Sequence, residues 1–151
     1  MRVAGVDCST KKIAIFYIED DNSAQTSEVI SKNTESSARI DEMFKLMIEE
    51  FKLKKPTIVY CENSPYLQNI KVTLAIHSVV DSVRFASVLN DIPFQTVEVT
   101  SWKKDQIGNG RADKAQIMSW AKAKYGDIIT NQDLSDAAAI AGWGWKRMKD
   151  E

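Results

Sequence analysis

Cysteine, histidine, proline and glycine are all scarce in this 151-residue chain, which contains two Cys, one His, three Pro and six Gly. Cys8 and Cys61 stand far apart, and no CxxC or Cys/His spacing accompanies them. This pattern argues against a disulfide scaffold and against a structural zinc site. No linker rich in Pro, Gly or Ser and no internal repeat divides the chain. We therefore expect a single domain over residues 1–151 with short connections.

Long hydrophobic runs are also missing from the sequence. No apolar segment approaches the roughly 18–20 residues needed to span a bilayer. The first residues, MRVAGVDCSTKK, lack the apolar core of a signal peptide. The composition is 44% apolar, with a net charge of −1, which is ordinary for a soluble globular protein. We expect a reduced, cytoplasmic location and no membrane association.

Apolar periodicity predicts a mixed α/β fold. Residues 13–18 are almost wholly apolar, as in a buried strand, whereas Ile40, Phe44, Met47 and Phe51 recur at helical spacing. An antiparallel meander of three strands followed by β-α crossovers gives a five-stranded sheet, with strands four and five parallel and helices on its faces. The predicted strands are 2–7, 13–18, 24–31, 57–61 and 94–99, and the predicted helices are 35–52, 69–90, 113–125 and 133–148.

Acidic residues stand where these predicted elements meet. Asp7 ends the first strand and Glu62 follows the fourth, so the two are neighbours if the meander lies on one side of the sheet and the crossovers on the other. Asp133 and Asp136 are three residues apart, on one face of the last helix and in its predicted first turn. Carboxylates crowded together repel one another unless cations bind them. Oxygen ligands suit Mg²⁺ or Mn²⁺, and two such ions about 3.5–4 Å apart perform phosphodiester hydrolysis.

Each of these acids has an ordinary explanation when taken alone. An Asp at a strand end often only forms a turn, and an Asp near a helix N-terminus is favoured by the helix dipole. The combination is more specific, because independent elements must each place an acid at the same crevice.

Charge is unevenly distributed along the chain. Residues 101–125 carry six basic and two acidic side chains, whereas residues 19–50 carry nine acidic and three basic ones. A basic segment next to an acidic metal site suits a phosphodiester backbone, although a charge cluster of this size is often only a solvated surface. Gly108-Asn109-Gly110 predicts a loop that permits close approach of a backbone.

Four segments of the sequence resemble the RuvC-like Holliday-junction resolvases of the ribonuclease H-like superfamily. The pattern G-x-G-x-A-(acid)-K followed by D-x-x-D-A-x-A-I-A is specific for that family, and the segments follow the family's order over nearly the whole chain. The short length is more similar to a bacteriophage member than to a standard bacterial one. The segments are GVDCSTKKIAI at 5–15, IVYCEN at 58–63, SWKKDQIGNGRADKAQI at 101–117 and DLSDAAAIA at 133–141.

The resemblance implies a ribonuclease H-like fold and Mg²⁺-dependent cleavage of four-way DNA junctions by paired symmetric nicks, which leave 5′-phosphate and 3′-hydroxyl ends. Two ions per site are expected, with Mn²⁺ able to substitute, and a homodimer formed through the 69–90 helix. The implied catalytic residues are the four metal-binding acids, Asp7, Glu62, Asp133 and Asp136, together with Lys114. The implied DNA-binding residues are Lys103, Lys104, Arg111, Lys114 and Tyr66, the last as a base-stacking wedge or else a packed loop residue.

Three other functions stay open at the level of sequence. A nuclease acting on flaps or RNA–DNA hybrids would place an acid in the first helix, where Glu42 and Glu49 are available. The segment 5–15 is also similar to the phosphate loop of actin-type ATPases, but no second such loop is evident. A junction-binding protein without catalysis is the third, although all four acids are present.

Overall fold

Five strands form one mixed sheet in the computed structural model, which describes residues 1–64 and 66–151. The order across the sheet is β3-β2-β1-β4-β5, with β1 antiparallel to β2, β2 antiparallel to β3, and β4 parallel to both β1 and β5. The predicted fold class is therefore confirmed, including the adjacency of the first and fourth strands. The strands are β1 (Arg2–Cys8), β2 (Lys12–Glu19), β3 (Ala24–Ile30), β4 (Ile58–Glu62) and β5 (Phe94–Val97).

Helices follow the meander and cover the sheet. A short 3-10 turn at Gly126–Ile128 separates the last two helices. The helix Val99–Ile107 was not predicted, and it places Lys103 and Lys104 on a helix where the sequence indicated no regular element. The helices are α1 (Ser36–Lys54), α2 (Ile70–Leu89), α3 (Val99–Ile107), α4 (Lys114–Tyr125) and α5 (Gln132–Asp150).

The sheet has a hydrophobic layer on each face. Ala4 and Val6 of β1 pack into a cluster with α1 and α2, whereas Val3 of the same strand packs with residues of α3, α4 and α5. This alternation follows from the two-residue period of a strand. Both faces of β1, β2 and β4 are covered, which explains why these strands are nearly continuous apolar runs.

Helix α2 has one buried stripe and one exposed apolar face. Val79, Val83 and Ala86 lie on the buried stripe. Val80 is buried as well, in the cluster that includes Met43, Met47 and Phe51 of α1. By length and composition alone α2 is apolar enough to cross a membrane, with a mean hydropathy of 1.4. The expectation that no segment meets this criterion was wrong, although core helices of soluble proteins also meet it.

Candidate functional site

The parallel register of β1 and β4 brings two of the predicted acids side by side. Val6 pairs with Cys61, so the residues that follow on the two strands, Asp7 and Glu62, are neighbours at the same edge of the sheet. Both side chains are half-buried. The edge where parallel strands end is where α/β folds most often bind ligands.

Helix α5 contributes the other two acids. Its N-cap residue Asn131 accepts a hydrogen bond from the backbone N–H of Leu134. Asp133 lies in the first turn, as predicted, but Asp136 lies in the second, because the helix begins at Gln132. The helix lies so close to β1 that a Cβ on Gly5 would approach the backbone N of Ala141 to 2.2 Å. This close approach fixes the position of Asp136 relative to the ends of the strands.

Burial and mutual repulsion raise the pKa of three of the acids. Burial, followed by the charges of Asp136, Glu62 and Asp133, raises the pKa of Asp7 well above its ordinary value. Burial and the Asp136 charge raise the pKa of Glu62 to about 7. Burial chiefly raises the pKa of Asp136 to about 6. The acids thus act on one another, and the crevice has too little positive charge to compensate them.

Three side chains that were not predicted as site residues contact the acids. The buried Trp102 Nε1–H donates to Glu62 Oε2 at 3.0 Å, and Gln132 Nε2–H donates to Asp136 Oδ1 at 3.1 Å. Lys12 Nζ lies 2.6 Å from Asp133 Oδ2. No local signal could have identified Lys12, since its role depends on β2 meeting the N-terminus of α5.

The structure brings two of the four predicted basic residues to the acids. The positive charge of Lys103 lowers the pKa of both Glu62 and Asp136, and that of Lys114 lowers the pKa of Asp136. Lys114 is the first residue of α4, after an Asp113 capping box. The other two lie elsewhere: Lys104 lines a separate groove with Asp105, and Arg111 is exposed in the loop before α4.

Tyr66 projects into solvent beyond Glu62. Its side chain is 95% exposed, so it is not a packed loop residue. Leu67 beside it is 44% exposed, and its backbone N–H donates to Thr73 Oγ1 of α2. Pro65, which lies between Glu62 and Tyr66 in the sequence, is outside the described residues.

The two cysteines, distant in sequence, meet beside the acids. Cys8 Sγ and Cys61 Sγ are 3.8 Å apart, and both thiols are free. The hydrogen bond with Cys61, together with burial, raises the pKa of Cys8 well above its ordinary value. A raised thiol pKa disfavours a nucleophilic thiolate, so Cys8 is a packing residue rather than a nucleophile. His77 is exposed on α2, in the middle of a different helix from Asp133 and Asp136.

The donor set fits hard divalent cations, although it does not form a closed ligand shell. Among residues 1–64 and 66–151, no group of three or more His, Cys, Asp or Glu side chains is arranged to hold an ion. The acids nevertheless provide carboxylate oxygens only. Burial, together with the neighbouring carboxylates, raises the pKa of Asp7, Glu62 and Asp136, and a bound cation would favour their ionised forms. The residues that would hold Mg²⁺ or Mn²⁺ are Asp7, Glu62, Asp133 and Asp136.

Comparison with known protein families gives a match over most of the chain. A family model described as "Crossover junction endodeoxyribonuclease RuvC" matches residues 3–142. A curated protein of that name from Carboxydothermus hydrogenoformans is 28% identical, over 98% of each chain. Another from Brachyspira hyodysenteriae is also 28% identical, over 93% of this chain and 91% of the relative.

Solved structures share the fold. Thermus thermophilus RuvC in complex with a Holliday junction substrate superposes with a TM-score of 0.83 at 19% identity, over 99% of this chain and 96% of that one. The yeast mitochondrial Holliday junction resolvase superposes with a TM-score of 0.62 at 15% identity, over 98% of this chain and 80% of that one.

Proposed function

Because this chain belongs to the RuvC family of crossover junction endodeoxyribonucleases, we propose that it is a metal-dependent endonuclease that resolves four-way DNA junctions. The observation that supports this function best is the placement of the acids. Three separate elements, β1, β4 and α5, each bring an acid to one edge of the sheet, where the charges act on one another. A structural role would not require carboxylates to be crowded in this way, because their repulsion destabilises the fold.

The proposed chemistry is hydrolysis of one phosphodiester bond in each of two strands. Bound Mg²⁺ would activate water and stabilise the leaving 3′-oxygen, which yields 5′-phosphate and 3′-hydroxyl ends. Asp7, Glu62, Asp133 and Asp136 would hold the cations. Lys103 and Lys114 lie close enough to act on these acids, so they are placed to bind the phosphate that is cleaved. Lys104 and Arg111 contact the backbone further away.

Recognition of the branch point falls to the loop after β4 in this proposal. Tyr66 is 95% exposed, so its ring is free to stack on an unpaired base. Such stacking is worth about 1–3 kcal/mol per base. Junction binding by Tyr66→Ala should therefore weaken about 10-fold or more, while binding to a linear duplex stays unchanged. Equal losses on both DNAs would make Tyr66 a general backbone contact instead.

Two symmetric cuts need two active sites, and a two-fold homodimer supplies them. We place the dimer interface on the exposed face of α2, where large apolar side chains lie in solvent. We propose that this face is a protein interface and that no membrane is involved. We also propose that the enzyme acts in the cytoplasm of a bacterium or of a phage-infected host. The exposed apolar residues of α2 are Ile70, Leu74, Phe85, Val88 and Leu89.

The decisive experiment is cleavage of a synthetic four-way junction, with a linear duplex, a flap and an RNA–DNA hybrid as parallel substrates. We expect paired nicks in the junction with Mg²⁺ or Mn²⁺ and none in EDTA. Glu62→Gln keeps the size of the side chain but removes a metal ligand. Its cleavage rate should fall at least about 100-fold, beyond the range typical of residues that only support a ligand, while junction binding persists.

The matched control is Glu49→Gln, which makes the same change on the exposed side of α1. It should cut like the wild type. Cleavage of the RNA–DNA hybrid alone, lost in the α1 variant, would assign the protein to the hybrid nucleases. Tight junction binding without cleavage in any metal would mean that the protein binds junctions but is not a nuclease.

A further inference from the structure

Trp102 is the one residue of α3 that the structure buries completely. It is 1% exposed and packs with Tyr60, Val97 and Ile140. The helix starts just after β5, and β5 pairs with β4 so that Val97 lies opposite Glu62. The indole is therefore held on two sides, by the sheet and by α5, directly beside the carboxylate that ends β4.

The indole N–H points at that carboxylate. Nε1–H donates to Glu62 Oε2 at 3.0 Å, which leaves the other carboxylate oxygen without this constraint. A neutral donor favours the ionised form of Glu62 without placing a competing cation beside it. Asp133, in contrast, is paired with the ammonium of Lys12. Glu62 is thus the acid whose orientation depends on a fully buried side chain.

The same ring also lies beneath a basic residue of the site. Lys103 Nζ is 5.6 Å from the centroid of the Trp102 ring, within the range of a cation–π interaction. The Lys103 charge acts on both Glu62 and Asp136. A single packed indole therefore touches a candidate metal ligand through its edge and a candidate phosphate-binding residue through its face.

We propose that Trp102 is a positioning residue, which fixes the Glu62 carboxylate for a divalent cation and sets Lys103 beside it. The inference rests on the proposed function in one respect, since it takes Glu62 to be a metal ligand. Side chains that orient a ligand in this way typically change metal affinity about 10–100-fold when they are replaced.

The test compares two Trp→Phe variants from the same buried cluster. Trp102→Phe removes the donor to Glu62. Trp143→Phe makes the same change at a side chain that is 7% exposed and whose Nε1, among the described residues, has no hydrogen-bond partner. Both variants lose similar packing, so a general loss of stability affects both. Only Trp102→Phe should alter the site.

Metal binding is measured without DNA by isothermal titration calorimetry, which gives the Mg²⁺ and Mn²⁺ concentrations that half-saturate the site. We expect the midpoint of Trp102→Phe to rise about 10-fold, and that of Trp143→Phe to equal the wild-type value. In ¹⁵N–¹H spectra the Trp102 indole signal, assigned by its loss in Trp102→Phe, should shift on addition of Mg²⁺ and also in Glu62→Gln without metal. The Trp143 indole signal should stay in place.

Equal midpoints for the two Phe variants would overturn the inference. A Trp102 indole signal that does not shift in Glu62→Gln would also overturn it. A wild-type protein that responds to neither cation would overturn it as well. Failure of the proposed function gives a different result. The protein would then bind metal with the expected dependence on Trp102 but would cleave no junction.

Discussion

Asp7, Glu62 and Asp136 hold their protons more tightly than exposed acids do. Burial is the first cause for each of them, and the neighbouring carboxylates add to it. A folded protein that binds protons more tightly than its unfolded chain loses stability as the pH rises through the shifted range. In the absence of metal, the site therefore destabilises the fold at neutral pH.

Glu62 makes this effect measurable. Its pKa lies at 4.5 in ordinary surroundings and at about 7 here. Its stabilising contribution is thus complete below about pH 4.5 and is lost as the pH rises through 7. In EDTA, the wild-type free energy of unfolding should fall between pH 5 and 8 by about 2 kcal/mol more than that of Glu62→Gln. Urea unfolding at both pH values measures the difference, and parallel changes in the two proteins would contradict it.

Mg²⁺ should reverse the effect, because a ligand that binds only the folded state stabilises it. The rise in stability on adding Mg²⁺ should be larger at pH 8 than at pH 5, where protons compete for the same oxygens. Glu62→Gln serves as the control, with a smaller rise at both pH values. A rise that is independent of pH would place the bound cation away from these acids.

At the scale of elements, the contact between β1 and α5 decides where the acids lie. A Cβ on Gly5 would stand 2.2 Å from Ala141 N and 2.3 Å from Ala137 O, both backbone atoms that cannot turn away. Gly5→Ala must therefore push α5 off the sheet. The expected cost is about 3 kcal/mol, at the upper end for overpacked cores, with weaker Mg²⁺ binding because Asp136 moves away from Asp7.

The matched control for this change is Gly110→Ala. The nearest atom to a Cβ there is 3.5 Å away, which is an ordinary contact. Thermal unfolding of both variants checks the prediction. If Gly5→Ala were as stable as Gly110→Ala, α5 would lie farther from β1 than the structure shows.

The elements that could be read from the sequence are those whose signal is local. The strands β1, β2 and β4 are apolar runs that end at a polar residue, and parallel pairing then makes Asp7 and Glu62 neighbours. Helix α3 has nine residues, one of them buried, and its N-cap Glu98 makes no side-chain capping bond. Its periodic signal is therefore weak. The contacts of Lys12 with Asp133 and of Trp102 with Glu62 join distant segments, so no local pattern reveals them.

At the scale of the whole molecule, α2 exposes large apolar side chains that the folding of a single chain does not bury. Ile70, Leu74, Phe85 and Val88 recur at helical spacing on one face, and each is more than half exposed. The helix spans twenty residues, about 30 Å at 1.5 Å per residue. The exposed apolar residues form two groups, one near each end of the helix, with the exposed His77 and Asp81 between them. Grouped exposed apolar side chains mark an interaction surface.

If a second copy covers this face, the protein sediments at twice its chain mass of 17.0 kDa. Phe85→Asp places a charge within the C-terminal group of exposed apolar residues, near Asp81. It should weaken the dimer at least about 100-fold, because burying a charge in an apolar contact is costly. Leu53→Asp is the control, since Leu53 is 75% exposed but lies on α1. Sedimentation velocity at micromolar concentration should show a dimer for the wild type and for Leu53→Asp, and a monomer for Phe85→Asp. The monomer should nick junction strands singly, whereas a wild-type monomer or paired cutting by Phe85→Asp would remove α2 from the assembly of the two sites.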